Sequence, residues 1–179
     1  QELTQKGLDF CQEKGAKLLV IACGTATSQA LDTVKDKMKV PVIGIIEPTI
    51  EYIARKENLH TVGVIATAGT IRSGGWGKAL KIARPDIQVK TNACPLLAPL
   101  AEEGWVENEV ARLAIHEYVK EMHDVDALIL GCTHYPLIRS TIGKVMGDEV
   151  TLVNPAYETA RELRVLLERH RMLNEHSPG

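Results

Sequence analysis

L-L-V-I-A-C-G-T-A-T, residues 18–27, runs an apolar strand into a small residue, a cysteine and a threonine. L-I-L-G-C-T-H-Y, residues 128–135, repeats that order. After each cysteine the pattern continues with a helix, a strand and then a proline. Pro48 follows Cys23 by 25 residues, and Pro155 follows Cys132 by 23 residues. The repeat predicts two related half-units, each built from alternating strands and helices.

The rest of the chain follows the same alternation. Apolar runs of four to seven residues, the length of strands buried on both faces, occupy residues 17–22, 40–46, 61–66, 87–91, 127–131 and 150–153. Helical patterns lie between them, at residues 3–14, 26–38, 49–57, 71–83, 105–122, 136–146 and 156–172. The order predicts an α/β fold of two Rossmann-like three-layer α/β/α domains with mostly parallel sheets, related by pseudo-two-fold symmetry.

Composition argues against several classes of partner. Lys plus Arg number 21 against 23 Asp plus Glu, a formal net charge of -2, and aromatic residues make up only 4% of the chain. A nucleic-acid binder would show clustered basic residues and stacking rings, so we expect none. No apolar run approaches the ~20 residues that cross a bilayer, and the amino end lacks the pattern of a secretory signal, so we expect no membrane association and a cytoplasmic location.

The four cysteines do not form a metal motif. Cys11, Cys23, Cys94 and Cys132 include no C-x-x-C pair and no short Cys/His cluster, so no structural metal is predicted. Cys11 shares an apolar helix face with Leu8 and is predicted to lie in the core, and Cys94 is read as structural. We also assign the helix face of Leu113, Ile115 and Val119 to packing, and solvent exposure to the five histidines at 60, 116, 123, 170 and 176.

Cys23 and Cys132 each follow a predicted strand and precede a predicted helix. Ligands of parallel α/β units collect at the carboxyl ends of strands, and the positive end of a helix favours thiolate over thiol. A single cysteine in such a place is commonly a small buried apolar residue. Two in matching positions could instead approach one carbon from opposite faces, one removing a proton and the other returning one. That is the arrangement of a racemase.

The segments that carry these cysteines resemble the glutamate racemases of the cofactor-independent aspartate/glutamate racemase superfamily. The resemblance runs in order along nearly the whole chain, and its most specific part is G-C-T-H-Y-P at residues 131–136. The other matching segments are V-I-A-C-G-T-A-T (20–27), V-P-V-I-G-I-I-E-P (40–48), V-G-V-I-A-T-A-G-T-I-R-S (62–73), A-C-P-L-L-A-P-L-A-E-E-G (93–104) and V-N-P-A-Y-E-T-A (153–160).

The resemblance implies roles for individual residues. Cys23 and Cys132 are implied as the two acid/base thiols, and His134 as the histidine that assists Cys132. Glu102 matches an acidic residue near the site. Positions that bind substrate are implied for Gly24, Thr25, Thr67, Thr70 and Thr133, although a threonine after a strand is often only a helix cap. The implied reaction interconverts L- and D-glutamate without pyridoxal phosphate or metal, and supplies D-glutamate for peptidoglycan.

Three departures from the family pattern bear on the site. The family's strand ending in D-S-G and its P-Y-G segment are not found in residues 1–179, nor are its last strand and helix, so we expect a truncated first domain and an incomplete Cys23 half-site. Gly24 stands where the family usually carries Asn. The glycines of S-G-G-W-G (73–77) fall inside the predicted helix 71–83 and are expected to loosen it.

The sequence thus predicts a first domain from residues 1–46 and 155–179, and a second from residues 47–154. The favoured function is racemisation of glutamate by two thiols, with glutamate as the small-molecule partner and a homodimer left open. One alternative is a relative acting on another substrate, such as an aspartate racemase or a hydantoin or maleate enzyme; the resemblance implies Glu rather than His at position 134 in aspartate racemases. Another alternative is a binding domain that takes up a dicarboxylate without turning it over.

Overall fold

The computed structural model describes residues 1–174 and confirms the predicted α/β class with parallel sheets. Six strands form two sheets within this range. β1 (Leu19–Ile21) and β2 (Val42–Gly44) pair in parallel in the smaller sheet. The larger sheet is also parallel throughout and has the order β4-β3-β5-β6, with β3 at Thr61–Ala66, β4 at Gln88–Ala93, β5 at Ala127–Leu130 and β6 at Thr151–Val153.

Nine α-helices connect these strands in the described residues. They are α1 (Glu2–Glu13), α2 (Gly24–Val34), α3 (Ile46–Ala54), α4 (Ala68–Ser73), α5 (Gly75–Ala83), α6 (Leu97–Glu102), α7 (Glu109–Val119), α8 (Arg139–Met146) and α9 (Pro155–Arg169). Short 3₁₀ helices at Lys35–Lys37 and Tyr135–Ile138 follow α2 and precede α8.

The larger sheet is covered on both faces, as its continuous apolar strands require. Ile65, Leu128 and Leu130 pack on one face against the buried side chains of α7 and α8. Val62, Val64 and Ile129 face the other way and pack against α3 and α5. Every residue of β5 is buried, which explains why this segment lacks the alternation of a half-exposed strand.

The smaller sheet packs one face against α1 and α2. Leu19 and Ile21 point toward Leu8, Leu31 and Val34. Val20 points to the opposite face and is 39% exposed. The two sheets fall into the two segments predicted as domains, while the domain division and its pseudo-symmetry stay predictions.

Two of the predicted helices are interrupted or shifted. The helix predicted at 71–83 is two helices, because Gly74 adopts a left-handed conformation (φ +67°) that ends α4 and opens α5. The helix predicted at 105–122 begins only at Glu109, where the Asn108 side chain accepts a hydrogen bond from the Ala111 amide. The sequence reading missed α6, whose Pro99 lies in the first turn, where a missing N–H costs nothing.

Asp126 ties the start of β3 to the start of β5. Its carboxylate accepts hydrogen bonds from the amides of His60 (2.6 Å) and Thr61 (2.7 Å). These two bonds lower the pKa of Asp126 below its ordinary value. The charged form is therefore the one that stabilises the fold, and its contribution is complete above the ordinary pKa of about 3.9 and is lost as the pH falls through the lowered pKa.

We expect Asp126→Ala to reduce the free energy of unfolding by about 1–2 kcal/mol at pH 7, because two strand amides lose a charged acceptor. The difference from wild type should shrink at pH 3 and below. Urea denaturation at both pH values measures it. Asp124→Ala is the matched control, since Asp124 makes a surface ion pair with Lys90 (2.6 Å) that is worth less than about 1 kcal/mol. Equal losses in the two variants would contradict this account of Asp126.

Candidate active site

The two predicted thiols lie where strands of the two sheets end close together. Cys23 follows β1 as the residue that precedes α2, with extended backbone (φ -104°, ψ 124°). Cys132 follows β5 after Gly131. The neighbouring residues Gly24 and Gly131 approach so closely that a Cβ placed on Gly24 would lie 2.5 Å from the Gly131 carbonyl oxygen. The strand ends that carry the two thiols therefore converge on one place.

The surroundings of the two thiols differ. Cys23 is exposed, whereas Cys132 is only 7% exposed. Burial raises the pKa of Cys132 above its ordinary value, amide hydrogen bonds from His134 and Tyr135 oppose that rise, and the nearby Cys23 and Glu102 add to it. The local amides favour the thiolate of Cys132, as expected of a thiol that precedes a helical turn, but burial outweighs them and its pKa is raised. A 3₁₀ turn, rather than a long helix, follows it.

Cys132, His134 and Glu102 are linked by two side-chain contacts. Sγ of Cys132 lies 3.7 Å from Nδ1 of His134, and Nε2 of the same ring lies 2.9 Å from Oε1 of Glu102. A carboxylate at Nε2 favours the ring form that carries its proton there, which leaves the lone pair of Nδ1 facing the thiol. The three side chains thus form a path for one proton, from sulfur to imidazole, with a carboxylate that holds the ring in place.

Three threonine hydroxyls form a closed triangle beside Gly24. Thr25 Oγ1 lies 2.8 Å from Thr70 Oγ1 and 3.0 Å from Thr67 Oγ1, and the last two lie 3.0 Å apart. Thr67 also caps α4 by accepting a hydrogen bond from the Thr70 amide (3.4 Å), so the cap and the cluster share one hydroxyl. Each hydroxyl can donate, and the triangle could turn its donors toward a bound carboxylate.

Thr133 is separate from this cluster. It is exposed and lines an open cavity of about 230 Å³ together with Cys132. The other walls are mostly apolar and come from the uncovered face of β1, with Val20 and Ala22, and from α9, with Thr159 and Leu163. The smaller sheet packs one face against α1 and α2. The cavity lies on its other face and leads from there to the Cys132 thiol.

Two buried side chains around Cys132 were missed by the sequence reading. The Tyr135 hydroxyl donates to the Cys94 carbonyl (2.8 Å) and so fixes the turn that follows Cys132. Trp76 is 2% exposed, and its Nε1 lies 3.2 Å from where a Cβ of Gly131 would be. Tyr135 stands within G-C-T-H-Y-P and could have been noticed there. Nothing in the local sequence around Trp76 points to Gly131.

The remaining cysteines and histidines lie away from this chemistry. Cys94, predicted to be structural, is fully buried, and burial raises its pKa to about 12. Cys11 is exposed, so its assignment to the core is wrong: α1 buries only Leu8. Ile115 and Val119 are buried as predicted, but Leu113 is 53% exposed because it lies off the face that meets the sheet. The predicted exposure is confirmed for the histidines at 60, 116, 123 and 170, and His176 lies outside the described residues.

We expect alkylation of Cys132 by iodoacetamide to keep rising beyond pH 9, because its raised pKa keeps the thiolate scarce at neutral pH. Peptide mass spectrometry of the modified protein over a pH series measures the rate at this cysteine separately. Cys11, on the surface of α1, provides the comparison within the same sample. A plateau for Cys132 well below pH 9 would contradict the dominance of burial.

Residues 1–174 contain no group of three or more His, Cys, Asp or Glu side chains that could hold a metal ion. None of the helices in that range is both long enough and apolar enough to span a membrane.

Comparisons with known proteins bear on this site. The Asp/Glu/Hydantoin racemase family matches residues 3–163. A glutamate racemase of Geobacter metallireducens is 46% identical over 166 residues, which cover 92% of this chain and 62% of that relative. The crystal structure of glutamate racemase from Francisella tularensis in complex with D-glutamate has a TM-score of 0.91 at 34% identity, covering 99% of this chain and 66% of that one.

A more distant structure shares the fold. Aspartate racemase of Picrophilus torridus has a TM-score of 0.70 at 20% identity, over 94% of this chain and 68% of that one. The chain spans 60 to 65% of the length of five curated glutamate racemases that it matches. The match over residues 3–163, the identity to the Geobacter relative and the parallel α/β architecture agree, and the chain belongs to the Asp/Glu/Hydantoin racemase family.

Proposed function

We propose that the protein interconverts L- and D-glutamate by proton transfer at Cα between two thiols. The observation that carries the proposal is the convergence of the strand ends that hold Cys23 and Cys132, with their neighbours Gly24 and Gly131 in backbone contact. The relatives named glutamate racemase support glutamate as the substrate. The product D-glutamate would serve peptidoglycan synthesis, in the cytoplasm.

The reaction needs one base and one acid on opposite faces of the same carbon. One thiol, as thiolate, takes the Cα proton, and the electron pair of the C–H bond stays on the carbon. The other thiol then delivers its own proton to the opposite face, which inverts the configuration. At the end the first sulfur is protonated and the second is a thiolate, so the pair is set for the reverse direction. No redox partner is needed, because the substrate is neither oxidised nor reduced.

The weak acidity of the Cα–H bond is the main obstacle. A thiolate can remove this proton only if water is excluded and oriented dipoles stabilise the developing carbanion. The burial of Cys132 contributes to the first condition at this thiol, and a poorly solvated thiolate is also a stronger base. We assign the second to Gly24, Thr25, Thr67, Thr70 and Thr133, whose hydroxyls and amides would hold the carboxylates of the substrate.

His134 and Glu102 would adjust the protonation of Cys132. In the arrangement described, Nδ1 of His134 can accept the thiol proton and return it, while Glu102 stabilises the imidazolium that forms. This help acts on one thiol only, because the contact belongs to Cys132. The two directions of the reaction should therefore depend differently on His134.

Racemisation of L-glutamate tests the proposal in the protein as its gene encodes it. Circular dichroism should show the ellipticity of L-glutamate decaying to zero without added pyridoxal phosphate or metal. L-aspartate, one methylene shorter, is the matched control and should decay much more slowly. Preferential decay of L-aspartate would move the protein to the aspartate-specific alternative. Tight binding of glutamate with no decay would support the non-catalytic binding domain.

A further inference from the structure

The hydroxyl of Tyr135 joins the two segments that carry the proton path of Cys132. Tyr135 is fully buried, and its hydroxyl donates to the carbonyl of Cys94 (2.8 Å). Tyr135 follows His134 directly in the chain, and its amide donates to the carbonyl of Cys132 (3.1 Å), which closes the turn that holds both side chains. The hydroxyl therefore ties this turn to the segment around Cys94.

The segment around Cys94 leads into α6 and so to Glu102. The Cys94 carbonyl also accepts a hydrogen bond from the amide of Leu97 (3.2 Å), the first residue of α6. Leu97 and Ala101 are the buried residues of this helix, and Glu102 is its last residue. Because α6 is a single unit of less than two turns, a shift at Cys94 is passed on to Glu102.

The contact between His134 and Glu102 is not held by its own burial. The two side chains are 36% and 63% exposed. A pair in such a position contributes little by itself, since solvent screens the charges and both side chains lose freedom when they meet. Their approach to 2.9 Å therefore depends on how firmly the two backbone segments are held together. The hydroxyl of Tyr135 supplies a direct hydrogen bond between these segments.

We propose that Tyr135 is a positioning residue whose hydroxyl holds the turn of Cys132 against the start of α6, so that the His134 ring lies between the thiol and Glu102. The consequence for catalysis rests on the proposed racemisation, in which His134 exchanges a proton with Cys132. Tyr135 acts through these side chains, because its own hydroxyl is enclosed in the core. Burial also raises the pKa of Tyr135, so the hydroxyl keeps its proton and remains a donor.

Tyr135→Phe removes the hydroxyl and keeps the ring that fills the core. We expect kcat to fall about 10- to 100-fold in the direction in which Cys132 is the base, and by much less in the opposite direction, because a small displacement of an acid/base group is costly. In a Glu102→Gln background the same substitution should cost much less, since the contact that it aligns is already weakened. Progress curves from pure L- and from pure D-glutamate measure the parent, both single variants and the double variant.

Tyr118→Phe is the matched control. The Tyr118 hydroxyl accepts a hydrogen bond from the amide of Leu96 (3.3 Å), so it ties α7 to the same segment but not to the turn of Cys132. This variant also loses one hydroxyl bond, and it shows whether any such loss slows the reaction. Its kcat values should equal those of the parent in both directions. Circular dichroism and thermal melting compare the folds of the two variants.

The tautomer of His134 tests the positioning without requiring turnover. Nitrogen-15 NMR of the protein as its gene encodes it, labelled at histidine, distinguishes a neutral ring protonated at Nε2 from one protonated at Nδ1, and His134→Asn assigns the signal. We expect the Nε2–H form to dominate in the parent and in Tyr118→Phe, since Glu102 accepts that proton. In Tyr135→Phe the share of the Nδ1–H form should rise.

The outcomes separate this proposal from the proposed function. Parental tautomer ratios together with parental kcat values in Tyr135→Phe would overturn the positioning role, even if the protein racemises glutamate. An equal fall of kcat in both directions, or the same effects in Tyr118→Phe, would indicate a general structural role and overturn it as well. The expected tautomer shift in a protein without racemase activity would support the positioning role and sink the proposed reaction. If Tyr135→Phe fails to fold, the hydroxyl is a requirement of folding and the positioning role is overturned.

Discussion

Replacing either Cys23 or Cys132 with alanine is expected to abolish measurable conversion of L- to D-glutamate, a loss of about 10⁴-fold, the upper end of what acid/base catalysis contributes. Each thiol serves one face of the carbon, so neither can replace the other. The fold should remain intact, since one thiol is exposed and alanine in place of the other removes only a sulfur atom at the edge of the core. The measurement is racemisation followed by circular dichroism in the protein as its gene encodes it.

The other two cysteines are the controls for this experiment. Cys11→Ala should keep full activity and stability, because its side chain is exposed on α1. Cys94→Ala should keep activity but lower the melting temperature, since it leaves a small cavity in the core. Racemisation at the parental rate by Cys23→Ala or Cys132→Ala would show that the two-thiol assignment is wrong.

His134→Asn is expected to lower kcat by about 10²- to 10⁴-fold in the direction in which Cys132 is the base, and by much less in the opposite direction. The imidazole contacts only one of the two thiols, so only one loses its proton acceptor. The equilibrium constant between enantiomers fixes the ratio of the two kcat/KM values at one. The asymmetry must therefore emerge in kcat and KM separately.

Progress curves started from pure L- and from pure D-glutamate measure both directions. Glu102→Gln is the matched variant, because it keeps the size of the side chain at Nε2 and removes the charge that stabilises the imidazolium. Its effect should have the same direction as that of His134→Asn and be smaller, since Glu102 is well exposed and the ion pair is screened. Equal and unaltered kcat values in both directions would show that His134 does not assist Cys132.

Much of the fold could be predicted from local pattern. The strand at residues 61–66 agrees with β3 at both ends, because its apolar run is bounded by polar residues and buried on both faces. The order of strands and helices around Cys23 and Cys132 is repeated in the structure. The errors in the predicted helices occur where a single residue decides a boundary. Gly74 divides one predicted helix into two, and α6 was not predicted because Pro99 is typical of a loop.

The site could be predicted only in part, because its parts lie far apart in sequence. The pattern around the two cysteines was visible directly, and the resemblance to a family added Thr67, Thr70, His134 and Glu102. The contact of Gly24 with Gly131 was not visible, since it depends on how two strand ends meet in space. The raised pKa of Cys132 was missed for the same reason: burial depends on tertiary packing, whereas the helix-end argument uses only local sequence.

Solvent isotope incorporation tests the central claim most directly. The protein is incubated with L-glutamate in D₂O without added cofactor, and proton NMR and chiral chromatography follow the Cα proton and the two enantiomers. The two-thiol account predicts that D-glutamate forms with deuterium at Cα, because the proton delivered comes from a thiol that has exchanged with solvent, and that Cys23→Ala and Cys132→Ala form none. D-glutamate that retains the original Cα proton, or that forms only when pyridoxal phosphate is added, would contradict it.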